Sequence, residues 1–234
     1  MKIKLEMDRK RARYLQKVCY ILAELGKGQF LNMFDLLHPG AAFSKKNRAV
    51  WDEQDWLKVE LCLKAKLFPK RKGYKAPDEC QEAWNFALYI EFFLIVSSEK
   101  VQIELEHDEA CRLSRACEII ARVGMGQFKD MIELFNPNLD WDEVSVIEKD
   151  LKERLFPGMG QGYHAMHSDK CPEECQVAWD AYQHIRREIS WFGIGKDWRK
   201  DKREFLNGMW GVNFDEPFKV SKLKGDFKTE RTEL

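Results

Sequence analysis

Four residues of the types that bind zinc lie close together: His164, His167, Cys171 and Cys175, spaced H-x2-H-x3-C-x3-C. Imidazole nitrogens and thiolate sulfurs are the donors that close a tetrahedral zinc site, and a loop can bring them together. The spacing departs from the usual C-x2-C and C-x4-C pairs. The competing reading makes Cys175 a small buried residue at the start of a helix, because Cys80 stands in a matching segment with no histidine near it.

A second constellation is cationic and aromatic. Arg122, Arg186 and Arg187, with Gln127, Tyr163, His164 and His184, could line a pocket for an anion such as a nucleotide phosphate or a partner's carboxylates. Guanidinium groups bind such anions through paired hydrogen bonds. The alternative is a solvated helix face whose arginine stems cover apolar surface.

The segment Gly26-Lys27-Gly28-Gln29-Phe30, written again as Gly124-Met125-Gly126-Gln127-Phe128, could turn backbone N–H groups toward a phosphate. It lacks the third glycine of a dinucleotide fingerprint and the lysine of a P-loop, so a tight helix–helix turn is the simpler reading. No Ser-His-Asp, metalloprotease or paired-acid arrangement appears, which argues against a catalytic role. Lys196, Arg199, Lys200, Lys202 and Arg203 form a basic run beside Trp198, interleaved with acids, in a tail expected over residues 196–234.

The elements that position these residues occur twice. The glycine segment continues in register through Met33 and Met131 to Pro39 and Pro137. Leu67-Phe68-Pro69 matches Leu155-Phe156-Pro157, Gly73-Tyr74 matches Gly162-Tyr163, and Pro77 to Trp84 matches Pro172 to Trp179. The expected organisation is two modules, residues 1–98 and 99–195, mainly α with a little β, packed on each other.

Each module opens on strict alternation, Ile3-Leu5-Met7 and Val101-Ile103-Leu105, the period of a half-buried strand. A helix follows, capped by Asp8 or Asp108 and ended by Gly26 or Gly124 in a left-handed cap. A short second helix stops before Pro39 or Pro137. The third carries Trp56, Val59, Leu63 and Leu67, or Val144, Ile147, Leu151 and Leu155. The fourth starts at Pro77 or Pro172 and runs to about Val96 or Trp191.

The fourth helices diverge. Phe86, Tyr89, Ile90, Phe92 and Phe93 leave the first apolar nearly all round, which predicts burial at the seam between modules or in a homodimer. The second is amphipathic. Glu24 stands where the second module has Arg122, so polar recognition belongs to the second module.

Lys plus Arg and Asp plus Glu both number 39, so no net charge draws the chain to nucleic acid. Seven scattered cysteines and no signal peptide fit reduced thiols in a cytoplasm. No apolar run is long enough to span a bilayer.

The run Leu113 to Phe128, with Gly162-Tyr163, Ala178-Trp179 and Arg186, resembles a loose group of small phage and prophage proteins with one helical module and an Arg-x-Gly-x-Gly-Gln-Phe turn. The first module departs from that pattern at Glu24 and Glu91, where the group has arginine. The resemblance implies a viral accessory or counter-defence factor in a bacterial cytoplasm. The resulting expectation is a non-catalytic binding protein that occludes a host protein or sequesters a small anion. A zinc-dependent enzyme using the His/Cys loop and a purely structural homo-oligomer are the other readings.

Overall fold

A computed structural model describes residues 2–38, 53–68, 74–96, 100–160, 162–166, 168–192 and 228–232. The chain is mainly helical. Strand β1 (Lys2–Asp8) leads into α1 (Arg9–Gly26), α2 (Leu31–Leu37), α3 (Glu53–Leu67) and α4 (Asp78–Val96). The same kinds of element follow in the same order: β2 (Lys100–Glu106), α5 (His107–Gly124), α6 (Lys129–Phe135), α7 (Trp141–Leu155) and α8 (Glu173–Phe192). Strand β3 (Lys228–Thr232) comes last.

The alternating segments form strands, and they pair with each other. β1 and β2 are antiparallel, with Leu5 opposite Ile103, Lys2 opposite Glu106 and Asp8 opposite Lys100. Ile3, Leu5, Met7, Val101, Ile103 and Leu105 are buried against the helices. The other face carries charge, and Lys100 and Gln102 both donate to Glu6. β3 adds to the far side of β1, giving the order β2-β1-β3. Residues 228–232 fall in the segment expected to be a charged tail. They pair with the outer edge of β1 through the backbone.

One continuous core runs through both halves of the chain. α4 packs chiefly on α1 and also on α5, and α8 packs chiefly on α5 and also on α1. Contacts between the halves are reciprocal. His38 at the end of α2 reaches the Leu155 carbonyl at the end of α7. Asn136 at the end of α6 donates to the Lys66 carbonyl near the end of α3, at 3.2 Å. Lys17 pairs with Glu174 at 2.9 Å, and Tyr14 donates to Glu173 at 2.8 Å. Among the described residues no helix is long and apolar enough to cross a membrane.

Three local expectations are corrected. Asp8 caps α1, but Asp108 lies inside α5. Glu106 is the cap there, in a reciprocal capping box with Glu109. Gly26 and Gly124 are not left-handed. Each ends its helix where a Cβ would lie 2.6 Å from Cys80 Cβ or 2.5 Å from Cys175 Cβ, so close helix approach excludes a side chain. The positive φ falls two residues later, at Gly28 (73°) and Gly126 (84°).

The third correction is α4, which is not buried all round. Cys80, Ala83, Ala87, Ile90 and Leu94 form one stripe toward the core, joined by Phe86. Phe93 is partly buried, with Tyr89 and Phe92 edge-on to it. Leu88, Tyr89, Phe92, Ile95 and Val96 are exposed, Phe92 by 57 % and Ile95 by 77 %. Among the described elements, α1, α5 and β2 pack on α4, and they leave this outer face uncovered.

Candidate functional site

The turn after α5 is built on backbone hydrogen bonds. The N–H of Gly126 donates to Val123 and that of Gln127 to Arg122, as Gly28 does to Leu25 and Gln29 to Glu24. The next N–H, the one a phosphate would use, is already taken by a side chain. Phe128 N–H donates to the Glu148 carboxylate at 3.0 Å, and Phe30 N–H to Glu60 at 3.3 Å. Lys152 and Lys64 back these carboxylates from one turn along the same helix. The protein supplies its own anion to this helix start.

Beside the turn lies a network of charged groups. Arg115, Glu118 and Arg122 share one face of α5, at helical spacing. Glu118 accepts from Arg115 at 2.9 Å and from Arg122 at 2.9 and 3.1 Å. Asp130 of α6 pairs with Arg122 at 3.0 Å and with Arg115 at 3.3 Å. The Gln127 side-chain oxygen accepts from Arg122 at 3.0 Å. On α8, Arg186 donates to the Tyr182 hydroxyl at 2.6 Å and lies over its ring, and Tyr182 in turn faces Glu118.

The electrostatics follow from these contacts. Burial works to raise the Glu118 carboxyl, but hydrogen bonds from Arg122 and Arg115 outweigh it and hold its pKa below the ordinary value. Burial, then the neighbouring Glu118, pushes the Tyr182 hydroxyl up. Two carboxylates among three arginines leave the network nearly balanced.

The first half inverts this polarity. Tyr20 of α1 donates to Glu91 of α4 at 2.7 Å, and Asn32 of α2 donates to Glu24. Glu24 and Glu91 stand where the second half has Arg122 and Arg186, and Tyr20 and Asn32 stand where it has Glu118 and Asp130. An open groove of about 340 Å³ runs there, lined by Arg13, Lys17, Tyr20, Glu24, Asn32 and Asp35.

Of the expected anion pocket, Arg122, Gln127 and Arg186 are brought into one network. The other expected residues sit elsewhere. Tyr163 is 64 % exposed. His164 packs edge-on against Phe156, its ring centroid 5.4 Å away, and its N–H donates to Met125. Phe68 receives Tyr74 in the same way, so His164 rather than Tyr163 takes the place of Tyr74. His184 is buried within α8. The side chain of Arg187 lies outside the described residues.

Of the metal-type residues, His167 also lies outside the described residues. Cys171 and Cys175 are buried side by side, with Cys171 Sγ 3.7 Å from Met166 Sδ. The Cys171 hydrogen bond, with burial, pushes the Cys175 thiol well up. Cys175 packs on Gly124 as Cys80 packs on Gly26. That fit is a packing role common to both halves. Among the described residues no group of three or more His, Cys, Asp or Glu side chains converges as metal ligands would.

No family model, curated protein or solved structure matches the chain.

The reading from sequence missed Arg115, Glu118, Asp130 and Tyr182. The first two were visible as partners of Arg122 at helical spacing. It also missed Glu60 and Glu148. Their signal was a Glu four residues ahead of a Lys in both third helices.

Proposed function

We propose that this chain is a non-catalytic binding protein, built as a tandem duplication whose second copy makes polar contacts to a protein partner. The repeated element order, the repeated glycine turn and the reciprocal contacts support the duplication.

One observation carries the binding mode. The Arg122 guanidinium is engaged at once by Glu118, Asp130 and Gln127, while its side chain stays 33 % exposed. Its Nε and both Nη groups already have acceptors within the chain, which leaves little of the guanidinium for a small anion. Arg122 is locked into a surface array of alternating charge, which a protein surface with complementary groups can read. Occlusion of a protein is therefore preferred to sequestration of a nucleotide. The likeness to small phage proteins makes a bacterial host component the partner class, and counter-defence the role.

The test uses the whole chain. Arg115→Ala, Arg122→Ala and Arg186→Ala together should abolish capture of a host protein that the wild type retains, with the helical circular dichroism signal unchanged. Calorimetric titration of the wild type with nucleoside triphosphates should give no heat of binding. Nucleotide binding that the triple variant loses would reverse the choice between the two modes. Capture undiminished in that variant would sink the site.

A further inference from the structure

The two edges of the sheet are unequal. The outer edge of β1 is covered by β3, and the outer edge of β2 is open among the described strands. The halves meet about an approximate twofold axis, because Leu5 pairs with Ile103, the residue that takes its place in the second half. β3 lies against α8. Gln183 and His184 of α8, which stand where α4 has Leu88 and Tyr89, are buried. The open edge of β2 has α4 beside it, and α4 turns Leu88, Tyr89, Phe92, Ile95 and Val96 outward. Among the described residues, one side of the molecule thus has strand and helix covered, and the matching side offers both uncovered. A large exposed apolar stripe beside an open strand edge is a recognised association surface.

We infer that a second copy of this chain occupies it, β2 to β2 across a true twofold axis, with the two α4 helices packed alongside. The charges of β2 are what single out a second copy. Centred on Ile103, an antiparallel pair of β2 strands sets Lys100 opposite Glu106 of the second copy and Gln102 opposite Glu104 of the second copy. On the inner face Val101 meets Leu105 of the second copy. This is the register β1 already uses with β2, where Lys2 faces Glu106, Lys4 faces Glu104 and Asp8 faces Lys100. Opposite charges directly across a strand pair stabilise it, and like charges would oppose it. β2 is self-complementary by sequence, as an isologous interface requires. On α4, residues 88, 92, 95 and 96 share one helix face, so two copies meet apolar against apolar. The dimer carries a continuous sheet in the order β3-β1-β2-β2-β1-β3. The inference is independent of the arginine network.

Light scattering on the full chain over a concentration series should show a mass about twice the 27.7 kDa of one chain. Phe92→Glu with Ile95→Glu changes two exposed side chains, so the fold should hold. This variant should weaken self-association at least about a hundredfold, the loss expected from charging a buried hot spot. Register is read separately, in a Cys62→Ser, Cys111→Ser background that removes the two partly exposed thiols. Chains carrying Gln102→Cys mixed with chains carrying Glu104→Cys should join through a short thiol crosslinker, and neither alone should do so efficiently. A wild type that stays monomeric overturns the inference, as does a dimer indifferent to the α4 charges or a mixture that does not crosslink. A monomer that instead takes up a foreign strand peptide at β2 assigns the surface to another occupant and equally overturns it.

Discussion

Phe128 and Glu148 are joined by a hydrogen bond from backbone N–H to carboxylate at 3.0 Å, and Phe30 and Glu60 are joined in the same way at 3.3 Å. The bond ties the start of a short helix to the middle of a longer one and fixes the glycine turn between them. Glu148→Ala should cost about 1–2 kcal/mol, the usual loss for a charged acceptor on a capping N–H. Glu60 is more deeply buried, and Glu60→Ala should cost more. Urea unfolding at constant m-value measures both. No change in either midpoint would show that water replaces the carboxylate without loss.

Gly124 has no room for a side chain. Its Cβ would lie 2.5 Å from both Cβ and Sγ of Cys175, so Gly124→Ala must push α5 and α8 apart. Overpacking of this kind costs about 1–3 kcal/mol. Cys175→Gly in the same chain should recover part of the loss, because it vacates the contested space. Thermal melts of the two single variants and the double variant, treated as a double-mutant cycle, test this. Additive effects would mean that the two residues do not compete for one volume.

Cys19 and Cys117 are fully buried at matching places on α1 and α5. Burial pushes the Cys19 thiol up to about 12, and burial with the nearby Cys19 raises Cys117 well above its ordinary value. In the unfolded chain both ionise at an ordinary thiol pKa of about 8.5. The folded state therefore holds protons that the unfolded state gives up. This contribution is fully present below about pH 8.5 and is lost as pH rises toward the folded values. Stability should fall between roughly pH 8.5 and 11, and Cys19→Ala with Cys117→Ala should flatten the slope. An unchanged slope in that variant would assign the alkaline loss to other groups.

Glu118 has the opposite sign. Its folded pKa is lowered, so its contribution is present above the unfolded carboxyl value, about 4.3, and is lost as pH falls through the folded one. Glu118→Gln should leave the chain less stable at pH 7 and make its stability less sensitive to acid below about pH 4. Chemical unfolding across that range compares the two slopes, and equal slopes would remove Glu118 from the acid response.

The strands were legible because a period of two has few explanations in a short polar–apolar run. Their pairing, and the addition of β3 to β1, came only with the structure. The helices were legible from apolar spacing and from prolines at their ends. Glycine was harder to read. Gly26 and Gly28 both sit at a helix end, and sequence cannot say which supplies the positive φ and which makes room for a neighbour. The facing Cys80 decides that, and it lies more than fifty residues away.

The candidate site was read only in part for a similar reason. Arg122 and Arg186 stood out as cations. Their meaning depends on Glu118, Asp130 and Tyr182, which arrive from three different helices. Composition counted the arginines and could not see that acids already held them. The all-round apolar character of α4 was read correctly as composition, but its exposure depends on how many neighbours the layer provides.

The sheet is shared between the halves, and this bears on synthesis. When the first half leaves the ribosome, Ile3, Leu5 and Met7 have only α1 of the three helices that pack on β1, and the backbone of β1 still lacks the strand β2. Its partner is translated roughly a hundred residues later. Until then the nascent chain shows an unpaired strand edge and the exposed apolar face of α4, each of which invites aggregation. Slowing translation before the segment through Glu106 should therefore lengthen that exposure and lower the yield of folded protein.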